Sequence, residues 1–170
     1  RVKHELVDSP YNKRRESCER VAKTLGVETL RDADMDMLNA AKDKISHEDF
    51  MRAEYVIGEK QRVLDVCDAL LHGDYETVGD RMYKTHEGMS KLYEVSCEEL
   101  DYLNDVAKEC GVTGSRIMGG GFGGCTVNLV KDELYEPFIN TVTEKFLAKY
   151  GHKPQIYPVV VSDGARRLED

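Results

Sequence analysis

Residues 119–124 read Gly-Gly-Gly-Phe-Gly-Gly, five glycines in six positions between two runs of strand-forming residues. Glycine loses more conformational freedom on folding than any other residue, so this density implies that something comes close to the backbone. Two kinds of chemistry use such a stretch. Exposed amides can cradle a phosphate, or the lack of side chains can let a second backbone pack against a bulged hairpin. Read literally, Gly119-x-Gly121-x-x-Gly124 satisfies a dinucleotide-binding pattern, but that mechanism needs a helix to open at the third glycine and point at a pyrophosphate. Here residues 125–130, Cys-Thr-Val-Asn-Leu-Val, are β-like. A P-loop is excluded as well, because Cys125 stands where lysine is required. The residues alone leave both the phosphate-binding and the close-packing readings open.

Other reactive side chains form no recognisable constellation. The five histidines, His4, His47, His72, His86 and His152, show neither His-Glu-x-x-His nor a Cys/His spacing suited to a structural metal. Cys18, Cys67, Cys97, Cys110 and Cys125 are an odd count with no Cys-x-x-Cys pair, which reads as reduced, buried thiols in a cytoplasmic protein. Arg14 and Arg15, beside Glu16 and Glu19, read as i,i+4 pairs on a helix surface worth about 0.2–0.5 kcal/mol each. Asp8, Asp163 and the other carboxylates read as caps and solvated charges.

The elements that must position the glycine run can be read from periodicity. Ser9 followed by Pro10 offers an N-cap and a first helical residue, and Cys18, Val21, Ala22 and Leu25 supply an inward face that Gly26 ends. Residues 30–44 read as a second helix with Met35, Leu38 and Ala41 on one face. Ser46 caps a third and longest helix, in which Phe50, Ile57, Leu64, Cys67 and Leu71 recur at helical spacing. Asp74 restarts the pattern with Tyr75, Val78, Met82 and Met89, and Ser96-Cys97-Glu98-Glu99 reads as a capping box for a fifth helix ending near Gly111. After Gly114 the period changes to two short strands, residues 115–118 and 125–130, joined by the glycine run. A helix over residues 135–150 and a last β-branched strand over residues 155–161 follow, and residues 2–6 alternate weakly.

The 170 residues are 41% hydrophobic and 33% charged, enough for one domain with its own core. A formal net charge of -8 argues against a nucleic-acid surface, whose footprint is a clustered basic excess. No apolar run approaches the roughly 20 residues that cross a bilayer, and no targeting segment is visible at Arg1, so no membrane partner is expected.

The wording of the segment from Gly114 to Val127, Gly-Ser-Arg-Ile-Met-Gly-Gly-Gly-Phe-Gly-Gly-Cys-Thr-Val, resembles the third signature motif of the galactokinases, a family of the GHMP kinase superfamily. The segment from Ser9 to Glu19, with its tyrosine, paired arginines and cysteine, is similar to another galactokinase segment. Leu30-Arg31-Asp32, Gly73-Asp74-Tyr75, the segment from Tyr93 to Asp101 and Ser162-Asp163-Gly164-Ala165 match in the same order. The resemblance spans nearly the whole chain but only the C-terminal half of such a kinase. It implies an α+β fold, an antiparallel sheet of ferredoxin-like character with several added helices, over residues 1–170.

The same resemblance implies transfer of the γ-phosphoryl group of ATP to the C1 hydroxyl of galactose, with Mg2+ arriving with ATP, in a cleft between this region and an N-terminal half. Tyr11 is the implied sugar contact, since a phenol both donates and accepts a hydrogen bond and its ring covers an apolar sugar face. Gly119, Gly120, Gly121, Phe122, Gly123 and Gly124 are the implied support for the phosphate-binding loop. The phosphate loop, the catalytic aspartate and its arginine partner belong to the absent half, so no catalytic base is assigned and the chain alone is expected to be inactive. Lys3 stands where relatives often carry arginine, which would lose a planar two-pronged contact. A sugar and ATP sensor acting through a protein partner, or another GHMP small-molecule kinase, are the alternatives.

Overall fold

The first two-thirds of the chain builds a helical scaffold and the remainder a hairpin backed by one helix; the computed structural model describes residues 10–162 and Gly164. Residues 2–6, Lys3, Asp8, Ser9 and Asp163 lie outside the described residues. Helix α1 spans Pro10–Leu25, followed by a 3₁₀ turn Leu30–Asp32, a short α2 Met35–Ala40 and a second 3₁₀ turn Lys42–Lys44. Helices α3, His47–Leu71, α4, Tyr75–Lys91, and α5, Glu98–Glu109, complete the scaffold. Strands β1, Gly114–Ile117, and β2, Thr126–Leu129, pair antiparallel with Gly114 opposite Leu129 and Ile117 opposite Thr126, and α6 spans Asp132–Tyr150.

Local chemistry accounts for most boundaries. The Ser46 hydroxyl accepts from the Asp49 amide and the Asp74 carboxylate from the Thr77 amide, so each satisfies a donor that the first helical turn leaves free. Gly151 ends α6 in the left-handed conformation, with its amide on the Leu147 carbonyl. The expected single helix over residues 30–44 is instead broken in two places: at Asp34, which is extended and whose side chain caps Met37, and at Ala41, which leaves the helical conformation. The expected capping box before α5 is not formed either. Cys97 is the cap residue without a side-chain bond, and the Ser96 hydroxyl donates to Asp101, which also accepts from Ser90 and lies 3.1 Å from His86 Nε2.

Three apolar clusters hold the layers together. Val21, Ala22, Leu38, Ala53 and Ile57 join α1 and α2 to α3; Tyr55, Met89, Val95, Leu100 and Ile117 join α3, α4, α5 and β1; Val106, Val112, Phe138 and Val142 dock α6 on α5. The stripe expected along α3 holds only in its first half. Ile57 is buried and Phe50 half-buried, whereas Leu64, Cys67 and Leu71 are exposed, because the second half of α3 meets α4 through a side that carries Asp65 and the buried Ala69. The other four cysteines are half-buried and none is disulfide-bonded. Residues 155–161 form no strand. Pro158 removes a ladder donor there, and Val159, Val160 and Val161 are exposed without a pairing strand among the described residues. No helix of the described residues is long and apolar enough to cross a membrane.

Candidate functional site

The loop that closes the β1–β2 hairpin is tied at its base by the Met118 amide, which donates to the Cys125 carbonyl at 2.9 Å. Within it Gly119, Gly121, Gly123 and Gly124 all have positive φ, and Phe122 is forced there too at +59°. Glycine dominates this loop because L residues with a Cβ rarely adopt that region. The expected strand-loop-strand arrangement is therefore present, with the amides of a six-residue excursion held in an irregular path.

At Gly121 the lack of a side chain answers a close approach as well. A Cβ built there would fall on the Val95 carbonyl oxygen and 2.7 Å from Val95 Cβ, inside the 3.0 Å that real Cβ contacts respect. The neighbouring Phe122 amide donates to the Val95 carbonyl at 2.6 Å. The run thus packs on the connection between α4 and α5. That connection is itself unusual, since Glu94 holds φ +52° without being glycine or asparagine.

Tyr11 lies on the other side of the same loop. It occupies the first turn of α1, is 56% exposed, and its ring edge sits 3.6 Å from where a Gly120 Cβ would be, an ordinary van der Waals distance. Both sequence-derived parts of the site are thus brought together, from positions about a hundred residues apart. Among the described residues the phenol has no hydrogen-bond partner, and the face beside it is backbone.

Arg14, one turn after Tyr11, departs from the expected surface pairing. Arg15 does pair with Glu19 at 2.8 Å, but Arg14 is only 8% exposed and turns the other way. Its Nε donates to the Tyr93 carbonyl at 2.8 Å and its Nη2 to the Glu94 carbonyl at 2.6 Å, and the same nitrogen lies 3.6 Å from the Glu94 carboxylate. The guanidinium carbon stands 5.5 Å from the centre of the Phe122 ring. Burial and then the neighbouring Arg52 push its pKa down, with the Glu94 and Glu48 carboxylates opposing. Arg52, 4% exposed, completes the patch by pairing with Glu48 and Glu94 and donating to Ser17 at 2.8 Å. Cys18 lies 3.7 Å from the Tyr93 hydroxyl, and burial raises the pKa of both groups.

Residues 67–145 match the family model described as "GHMP kinases C terminal". Over 98% of its length the chain is 42% identical to a human protein named galactokinase and 38% identical to one from Thermotoga petrophila, covering 42% and 47% of those relatives. Over nearly its whole length the chain is thus similar to part of the galactokinases, and the family model it matches is a C-terminal one. Its fold agrees, for 89% of the chain superposes on 41% of a Lactococcus lactis galactokinase crystallised with galactose, with a TM-score of 0.80 and 25% identity. The chain spans less than half the length of the relatives it matches.

Among the described residues no group of three or more His, Cys, Asp or Glu side chains is placed to hold a metal ion. The described residues around Tyr11 and the glycine loop include no such group, so they do not suit Mg2+. A cavity of about 620 Å3 between the end of α3 and the start of α4, lined by Leu64, Asp68, His72 and Arg81 among others, shares no residue with the Tyr11 site.

Proposed function

We propose that residues 1–170 are one domain, the C-terminal part of a cytoplasmic kinase that transfers the γ-phosphoryl group of ATP to the C1 hydroxyl of galactose. The observation that supports this reading is the juxtaposition of the exposed Tyr11 ring with Gly120: a phenol suited to a sugar contact stands beside a backbone loop suited to backing phosphates. In the reaction the bond between the γ-phosphorus and the oxygen of the ADP leaving group breaks, a bond to the C1 oxygen forms, and the hydroxyl proton passes to a base. The base, the phosphate loop and the ligands of the Mg2+ that accompanies ATP are assigned to the upstream half. This chain's own contribution is positioning, which dominates phosphoryl transfer because the protein has little covalent chemistry to perform. Tyr11 orients the hexose through one hydrogen bond and ring contact, while Gly119–Gly124 backs the phosphate-binding segment across the cleft.

The reading is tested by assaying the full-length protein for ATP-dependent formation of galactose 1-phosphate, with the 170-residue chain alone as the comparison. Turnover by the full-length protein and none by the chain is expected. Galactose phosphorylation by the chain alone would refute the division of labour, and none by the full-length protein would refute the kinase assignment.

Tyr11→Phe separates a sugar contact from simple packing. Losing one hydrogen bond costs about 1 kcal/mol, so the galactose KM is expected to rise about fivefold with the ATP KM nearly unchanged. Equal effects on both substrates would remove Tyr11 from the sugar site.

A further inference from the structure

We infer that Arg14 is a positioning residue that locks the sugar-contact tyrosine and the glycine loop into one rigid unit through the Tyr93–Val95 connection. The inference rests on the kinase reading above only for what the unit binds; the lock itself follows from geometry. Tyr11 and Arg14 are three residues apart on α1 and so share a side of the helix. Arg14 grips two successive carbonyls, Tyr93 and Glu94. The next carbonyl, Val95, receives the Phe122 amide, and Gly121 rests on the Val95 side chain. Gly120 then returns to the Tyr11 ring, and the Arg14 guanidinium stands beside the Phe122 ring. Three segments thus close a ring of contacts in which every link except Arg14 is backbone or van der Waals contact.

The link needs arginine specifically. Two adjacent carbonyls are met by two nitrogens of one planar fork, a geometry that a lysine ammonium does not reproduce. The held turn is also strained, because Glu94 sits at φ +52°, and such a conformation persists only where its surroundings over-determine it. Releasing the fork removes both carbonyl contacts and leaves the Glu94 carboxylate to Arg52 alone. The turn is then free to relax and carry Val95 away from Phe122 and Gly121.

Arg14→Gln and Arg14→Lys in the full-length protein test this, with backbone amide hydrogen exchange as the readout that does not depend on turnover. Exchange in residues 118–125 is expected to quicken about tenfold or more in both variants while α6 is unchanged, as local opening requires. The galactose KM is expected to rise with the ATP KM held within about twofold. Glu94→Gln, which keeps the carbonyls, is expected to loosen the loop less than either. Unchanged loop exchange in Arg14→Lys overturns the proposal; so does loosening spread evenly over the chain, which would make Arg14 a general stabiliser. Should Arg14→Gln not fold, Arg14→Lys decides, since it keeps the charge and most of the buried stem. A wild-type protein without galactose kinase activity whose loop still loosens in Arg14→Lys would sink the substrate reading and leave the lock standing.

Discussion

Gly121→Val in the full-length protein is expected to lower kcat/KM for galactose phosphorylation by roughly a hundredfold, because displacements of about 1 Å in a positioning element cost that much. Two independent effects act at this position. The backbone sits at φ +83°, where a β-branched side chain is most penalised. The new Cβ would also fall on the Val95 carbonyl oxygen, which already accepts from the Phe122 amide. The loop must therefore move off the α4–α5 connection and break that hydrogen bond, losing about 2–3 kcal/mol of local stability. Val95 is nearly fully buried in the central cluster, so the loop rather than the core is the part that yields. Gly119→Ala and Gly124→Ala provide the scale. Each needs positive φ but neither Cβ meets an atom within 4 Å, so each is expected to cost only about 1–2 kcal/mol through backbone conformation. Steady-state kinetics on the three variants, with circular dichroism to verify folding, checks the ranking. A fully active Gly121→Val protein would return the run to mere hairpin geometry.

This ranking illustrates what the sequence made legible and what it could not. The caps at Ser46 and Asp74 and the change of period at Gly114 are all local, decided by residues within one turn of each other, and they are where expected. The glycine run stands out as a candidate by its composition, and Tyr11 only through the resemblance of the segment around it. Their contact was not legible, since it joins positions about a hundred residues apart. Arg14 shows the same limit more sharply. Its neighbours Glu16 and Glu19 offered a plausible local partner, and the actual partners lie 79 and 80 residues away. Asp34 misled in the opposite sense: an apolar period continued through it, but its side chain gained more as a cap than the chain did from an unbroken helix. The exposed Leu64, Cys67 and Leu71 have a third cause, because periodicity reports which side of a helix is apolar and not which side its neighbours cover.

Gly79→Ala is expected to destabilise the fold by roughly 3 kcal/mol or more, although helix propensity alone predicts the opposite sign. Gly79 lies inside α4, where exchange of glycine for alanine ordinarily gains about 0.5–1 kcal/mol by restricting the unfolded chain and favouring the helix. Here the helix crosses the start of β1 at backbone distance. A Cβ at Gly79 would fall on the Thr113 carbonyl oxygen, and one at Gly114 would lie 2.6 Å from Gly79 Cα. Each glycine is small because the other is, and α4 and β1 make one of the most extensive contacts in the fold through this crossing. The obstacle is backbone on both sides, so no rotamer change relieves it and the strand must shift along with the loop it carries. Gly114→Ala is expected to behave similarly, and combining the two should cost less than the sum, since the first displacement makes room for the second. Urea denaturation of the two single variants and the double variant measures both quantities. A Gly79→Ala chain as stable as the parent would mean that propensity outweighs packing at this crossing and that β1, with the glycine loop beyond it, is not held in place by α4.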